Sequence, residues 1–224
     1  MTAIPRRRIT LIKARDGLAQ KDFDAHWSGR HAAIAKDLPG LIWYVQNHVV
    51  MRLTPSANRF GEVHGIAEIA FEDPGKLRGT VTGWSRVGEL RDDEAVFLGD
   101  KFTFVTDVPA SPPDLGQRRI IAMLERPADG AAGPGEAAIR STAKAISAVC
   151  PAHVQMVADA TDTPADNARP TPHALLFVEL PNTAAADLLK PSGPILGPID
   201  AIGLSASVYL MAAEAKRLPA DRSA

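Results

Sequence analysis

The residues in this chain best suited to proton chemistry fall within a stretch of about twenty-five positions. Phe23–His31 reads FDAHWSGRH, and the strand-like run after Gly40 carries Tyr44, Gln46 and His48. Imidazole titrates near neutral pH and can both accept and return a proton. A phenol or second imidazole nearby can donate to an oxygen that gains charge as a carbon acid loses its proton. On a helix at about 100° per residue, Phe23, Trp27, Ile34 and Leu38 fall within about 60° of one another, and His31 lies about 20° beyond the edge of that apolar stripe. His31 therefore points between helix and sheet, where its imidazole must find a partner. Two readings stand side by side: a structural histidine satisfied by a carbonyl or by Glu68, or a general acid/base at a pocket. In the second, Tyr44 or His48 supplies the donor and Phe23 and Trp27 form the apolar walls. Glu68 and His64 share parity on a later strand and could orient the ring.

Other chemistry is weaker. His26 and His31 diverge by about 140° on a straight α-helix, so they cannot share one metal ion there. Asp92, Asp93 and Glu94 read more readily as a solvated turn with charge at a helix end than as a site holding a substrate-side or structural carboxylate at Asp93. Cys150 closes an Ala-rich helix, where the dipole disfavours a thiolate. Gly133-Pro134-Gly135 lacks the lysine of a phosphate loop and reads as a helix entry.

Those residues must be held by a definite frame. Period and punctuation give strands at 8–14, 41–53, 63–71 and 101–106. A helix spans 20–38 and stops at Pro39-Gly40; a helical region, broken near Gly79 and Gly83, spans 73–98. The order β-α-β-β-α-β is the split βαβ arrangement. Residues 107–117, with three prolines and a glycine, read as a linker. Beyond it the order recurs weakly: strands at 119–125, 153–158, 174–180 and 204–211, a helix at 135–149, a short helix near 184–189, and Pro- and Gly-rich coil before the last strand. The fold expected is α+β: two ferredoxin-like βαββαβ halves in tandem, their sheets packed face to face. The parts are 1–107 with the candidate site, 108–118 as linker, 119–215 as a degenerate second half, and 216–224 as tail. Trp43, Val45, Val49 and Met51 share one side of the second strand, an apolar face that must be covered, and the second half is the natural cover.

The order Phe-x3-Trp-x3-His, then Pro-Gly and a Tyr-bearing strand, then HGIAEIAF at 64–71 and DEAVF at 93–97 resembles the EthD family of dimeric α+β barrel proteins over about residues 8–108. The second half keeps none of these motifs, and Ala19 stands where a capping Ser or Thr would be expected. The resemblance implies kinship with cofactor-free isomerases, cyclases, decarboxylases and oxygenases acting on lactones, quinones and aromatic polyketides, and with haem proteins. The function expected is a cofactor-independent lyase, isomerase or cyclase working by His acid/base chemistry on a small hydrophobic carbonyl compound, with no cofactor. The alternatives are a non-catalytic ligand-binding accessory protein, or a haem protein ligated through His31, His153 or His173.

Bulk properties narrow the field further. A formal net charge of −1 gives no electrostatic case for nucleic acid or anionic membrane. Ile66 and Glu68 stand where an RNA-recognition sheet would carry stacking aromatics. The three arginines at 6–8 are followed by no apolar run of signal-peptide length, and the single cysteine permits no internal disulfide. A cytoplasmic protein with a small hydrophobic ligand is the expectation, with a homodimer through edge strands as a further partner.

Overall fold

The computed structural model describes residues 6–54, 60–72, 81–109, 118–125, 135–157, 171–181 and 186–217. Strands β1 (Arg6–Ala14), β2 (Leu41–Arg52), β3 (Gly65–Phe71) and β4 (Leu98–Pro109) come first. They are followed by β5 (Arg118–Leu124), β6 (Ala152–Met156), β7 (Ala174–Leu180) and β8 (Ala206–Arg217). All eight join one antiparallel sheet in the order β4-β1-β3-β2-β8-β5-β7-β6. Each half contributes its strands in the same internal order, fourth-first-third-second, the order of a βαββαβ unit. The halves meet where β2 pairs with β8, and a bridge from Thr106 to Val157 brings the two ends of the sheet together. The sheet thus curls into a barrel, its end strands β4 and β6 meeting at that bridge.

Strand alternation divides the side chains between two environments. Ile9, Ile66, Phe104, Ile121, Phe177 and Met211, from both halves, fill the barrel interior. The outward faces are covered by helices. Over the first half lie α1 (Gln20–His26), a π-turn (Trp27–His31), α2 (Ala32–Ala35) and α3 (Val87–Phe97). Over the second lie α4 (Glu136–Ile146) and α5 (Leu196–Ala201). The second half's outer layer is an apolar cluster, with Ile139, Ala143 and Ile146 of α4 packed with Ile120, Leu176 and Val178.

Several expectations need adjustment. The helix expected over 20–38 ends at Ala35, and its middle is a π-turn. Trp43 and Val45 are wholly buried as the apolar face requires, but Met51 is 48% exposed. A register irregularity between Val49 and Met51 breaks the alternation before it reaches that residue. Coil was expected after residue 189, yet α5 forms with Pro198 in its first turn, where a missing N–H costs nothing. Strands β4 and β8 run past their expected ends, to Pro109 and Arg217. The linker at 110–117, the helical segment at 73–80 and the tail from 218 lie outside the described residues. Among the described residues no helix is long and apolar enough to cross a membrane.

Candidate active site

The helix that carries the histidines is not regular. Between Trp27 and His31 the backbone widens to i→i+5 bonding, with the Ala32 N–H reaching back to the Trp27 carbonyl. In an α-helix His26 and His31 would point about 140° apart. A π-turn brings positions five apart onto one side, and both rings reach the same carboxylate. His26 Nε2 lies 2.9 Å from Asp93 Oδ1, and His31 Nδ1 lies 3.0 Å from Asp93 Oδ2. Arg30 donates from Nε to Oδ1 at 3.0 Å. Of the two readings of 92–94, the solvated turn fails for Asp93 and the structural carboxylate holds. Asp93 is 1% exposed, on the inner side of α3, with three donors around it. Phe97, one turn further along α3, packs its ring 4.7 Å from His26 and 5.0 Å from His31, fixing both planes.

With Nδ1 held by Asp93, His31 has Nε2 left for chemistry; among the described residues it has no hydrogen-bond partner. His31 lines a cavity of about 630 Å³ between the first-half sheet and its helices, a size ordinary for a small-molecule site. Burial pushes the His31 pKa below its ordinary 6.5, partly opposed by the hydrogen bond to Asp93 and the charge of Glu94. The base form therefore dominates at neutral pH.

Tyr44 lines the same cavity. Its Oη accepts from Gln46 Nε2 at 2.7 Å, and the same amide nitrogen donates to the Trp27 carbonyl at 2.8 Å. Because that carbonyl can only accept, the orientation of the Gln46 amide is fixed. The phenol, already accepting, keeps its own proton for another partner. Burial raises the Tyr44 pKa, so it stays a donor. Trp27 adds a second donor. Its indole Nε1 is buried with no acceptor among the described residues, and it lies near enough to ease the phenol's ionisation slightly.

Not every residue expected at the site lines the cavity. His48 lies at the far end of the same row. Its Nδ1 is 2.8 Å from Asp24 Oδ1, its Nε2 is 3.3 Å from Gln46 Oε1, and its ring lies 4.7 Å from that of Trp27. It reaches Tyr44 only through Gln46. Phe23 is fully buried behind Trp27 and Phe97, supporting the wall without forming it. Glu68 cannot orient His31, because the register pairs it with Ile9 and Val45, whose side chains face the barrel interior. There it binds Arg7 at 2.9 Å, Arg119 at 2.6 Å and Asn47 at 3.1 Å. His64 Nδ1 accepts the Ala14 N–H at 3.1 Å and plays no part at the imidazole of His31. Of the three histidines considered for haem, His31 alone lines the cavity; His153 stacks 5.0 Å from Phe177. No cluster of three or more metal-ligating side chains occurs among the described residues.

Residues 15–101, which hold His31, Tyr44 and Asp93, match the family model of the EthD domain. No curated protein matches the chain. Among solved structures, an anthrone oxidase-like protein superposes with TM-score 0.56 at 7% identity, covering 99% of this chain and 98% of its own. A candidate monooxygenase from Fusobacterium nucleatum subsp. nucleatum gives TM-score 0.55 at 7% identity, covering 99% and 96%. At such identities the likeness concerns the fold alone.

Proposed function

Starting from an EthD domain at residues 15–101 set in an α+β barrel, we propose that this protein is a cofactor-independent lyase, isomerase or cyclase acting on a small hydrophobic carbonyl compound. The observation that carries the reading is the convergence of His31, backed by buried Asp93, with Tyr44 on one cavity. His31 Nε2 takes a proton from the carbon beside the carbonyl, while Asp93 holds Nδ1–H and stabilises the imidazolium that forms. The electron pair moves onto the carbonyl oxygen, which accepts hydrogen bonds from Tyr44 O–H and Trp27 N–H. Return of the proton to another atom of the enolate gives isomerisation; attack of the enolate carbon on a second carbonyl gives cyclisation, the imidazolium returning its proton to the new alkoxide oxygen. In this reading residues 1–107 hold the chemistry, and residues 119–215 cover the inner face of the first sheet.

The test is hydrogen–deuterium exchange at the acidic carbon of 2-tetralone, followed by NMR in deuterated buffer. Anthrone, the aromatic ketone in one fold neighbour's name, is the second probe. The intact chain should exchange both above the buffer rate. His31→Ala should lose about 10²–10⁴-fold, with circular dichroism unchanged. Exchange that survives in a folded His31→Ala variant sinks the assignment. Binding without exchange by the unaltered chain would favour the accessory-protein alternative.

A further inference from the structure

The last strand of the second half reaches the helix that carries the histidines. Strand β8 lies beside β2, and the register sets Glu214 opposite Gln46. Residues directly opposite share a face of the sheet, so Glu214 lies in the outward row of Gln46. These two neighbours, one from each half, grip consecutive residues of the π-turn. Gln46 Nε2 donates to the Trp27 carbonyl at 2.8 Å, and Ser28 Oγ donates to Glu214 Oε2 at 2.8 Å. Two residues on, where the register slips, Lys216 pairs with Glu214 and donates from Nζ to Ser28 Oγ at 2.7 Å. The Ser28 hydroxyl thus gives its proton to one β8 side chain and a lone pair to the other, which leaves it one orientation. Arg217 adds a third contact, donating from Nη1 to the Lys36 carbonyl at 2.8 Å. Lys36 caps α2, and its carbonyl is one of those that a helix end leaves unpaired.

A π-turn is a rare departure from the α-helix, and contacts outside the helix must select it. Asp93 holds one side of this turn through His26, Arg30 and His31. Ser28, two residues on from His26, stands about half a turn round, so β8 holds the opposite side. Were the turn to relax into regular α-helix, His26 and His31 would diverge by about 140°, and Asp93 would keep only one of them. A His31 ring that loses Asp93 is no longer fixed with its proton on Nδ1, and Nε2 is no longer reserved as the base.

We infer that Glu214 and Lys216 of the second half are positioning residues for the site: acting through Ser28, they hold the π-turn that sets His31 on Asp93. The importance of His31 rests on the proton-transfer reading, but the first readout does not use activity. Long-range proton–nitrogen correlation spectra of the full chain, isotope-labelled at histidine, report which ring nitrogen carries the proton. At neutral pH His31 should show the Nδ1–H form. Ser28→Ala should turn this into a mixture of tautomers with circular dichroism unchanged. Ser28→Thr, which keeps the hydroxyl, should restore the single form. Glu214→Ala, at a half-exposed position of β8, should give the same mixture and serves as the second variant should Ser28→Ala fold poorly. In tetralone exchange both alanine variants should lose roughly tenfold or more in kcat with KM little changed, because the base is misplaced while substrate contacts survive. An unaltered His31 tautomer in either folded alanine variant overturns the inference. So does a kcat left intact while the tautomer shifts, or a Ser28→Thr variant as impaired as Ser28→Ala. If exchange proves indifferent to His31→Ala, the proton-transfer reading has failed, and the tautomer alone then judges the positioning role.

Discussion

His31 finds its carboxylate 62 positions away in the chain, and that partnership governs its titration. Burial lowers the imidazole pKa, while the Asp93 hydrogen bond raises it. Because the folded value lies below the ordinary 6.5, the base form persists on mild acidification. The acid limb of kcat/KM for tetralone exchange should therefore fall below pH 6.5. Asp93→Asn removes a raising influence and should shift that limb lower still while cutting the rate; a limb that moves upward would contradict the assigned roles. Gln46 offers a sharper residue-scale test. Its amide donates to Tyr44 Oη, which leaves the phenol proton free for the cavity. Gln46→Glu replaces the donor with an acceptor, so the Tyr44 O–H should turn toward the new carboxylate. The expected loss in exchange is about as large as for Tyr44→Phe, and in a Tyr44→Phe background the second substitution should cost little further. Additive losses in that double-mutant cycle would show that Gln46 does not act through Tyr44.

At the scale of elements, the π-turn decides which histidines meet. It adds one residue to a helical turn, and this aligns His26 and His31 on Asp93 while the Trp27 carbonyl stays bonded to Gln46. The turn is pinned from below by β3. Gly65 lies under the Trp27 indole, and a Cβ built there would come within 2.4 Å of the ring. Neither the ring, wholly buried against Phe23, nor the strand backbone can give way cheaply. Gly65→Ala should cost about 1–3 kcal/mol by overpacking, read as a lower denaturation midpoint. It should also disturb ligand binding, because the displaced indole forms part of the cavity wall. A neutral Gly65→Ala would mean the indole is more loosely held than its packing indicates.

At the scale of the molecule, the two halves are joined by a buried ionic cluster within the barrel. Glu68 of the first half binds Arg7 of the same half and Arg119 of the second, and Arg119 also approaches Glu179 at 2.9 Å. Near this cluster, burial and the Arg7 and Arg119 charges push His153 down to about 4. A base whose folded pKa lies below its unfolded 6.5 binds fewer protons folded than unfolded across that interval. Stability should therefore drop as pH falls from about 6.5 to about 4, with no further loss from this group below that. His153→Gln should flatten this part of the curve in urea titrations at stepped pH. An unchanged slope would assign acid sensitivity to other groups.

The order of elements, the α+β class, the apolar face of β2 and the shared parity of Tyr44, Gln46 and His48 could all be read from the sequence. Each is a local consequence of a period of two or 3.6, or of Pro-Gly punctuation. The motif run from Phe23 to Phe97 likewise pointed to the EthD domain before any contact was known. What needed the tertiary structure was every fact that depends on two distant segments meeting. A helical wheel assumes 100° per residue and so separated His26 from His31; only the backbone shows the π-turn that unites them. Strand parity does not say which face is inside, so Glu68 could be placed on either side until the register with Ile9 and Val45 turned it into the barrel. Asp93 read more readily as one of three solvated acids than as a structural carboxylate because burial is set by what α3 packs on, and local sequence does not encode that neighbour.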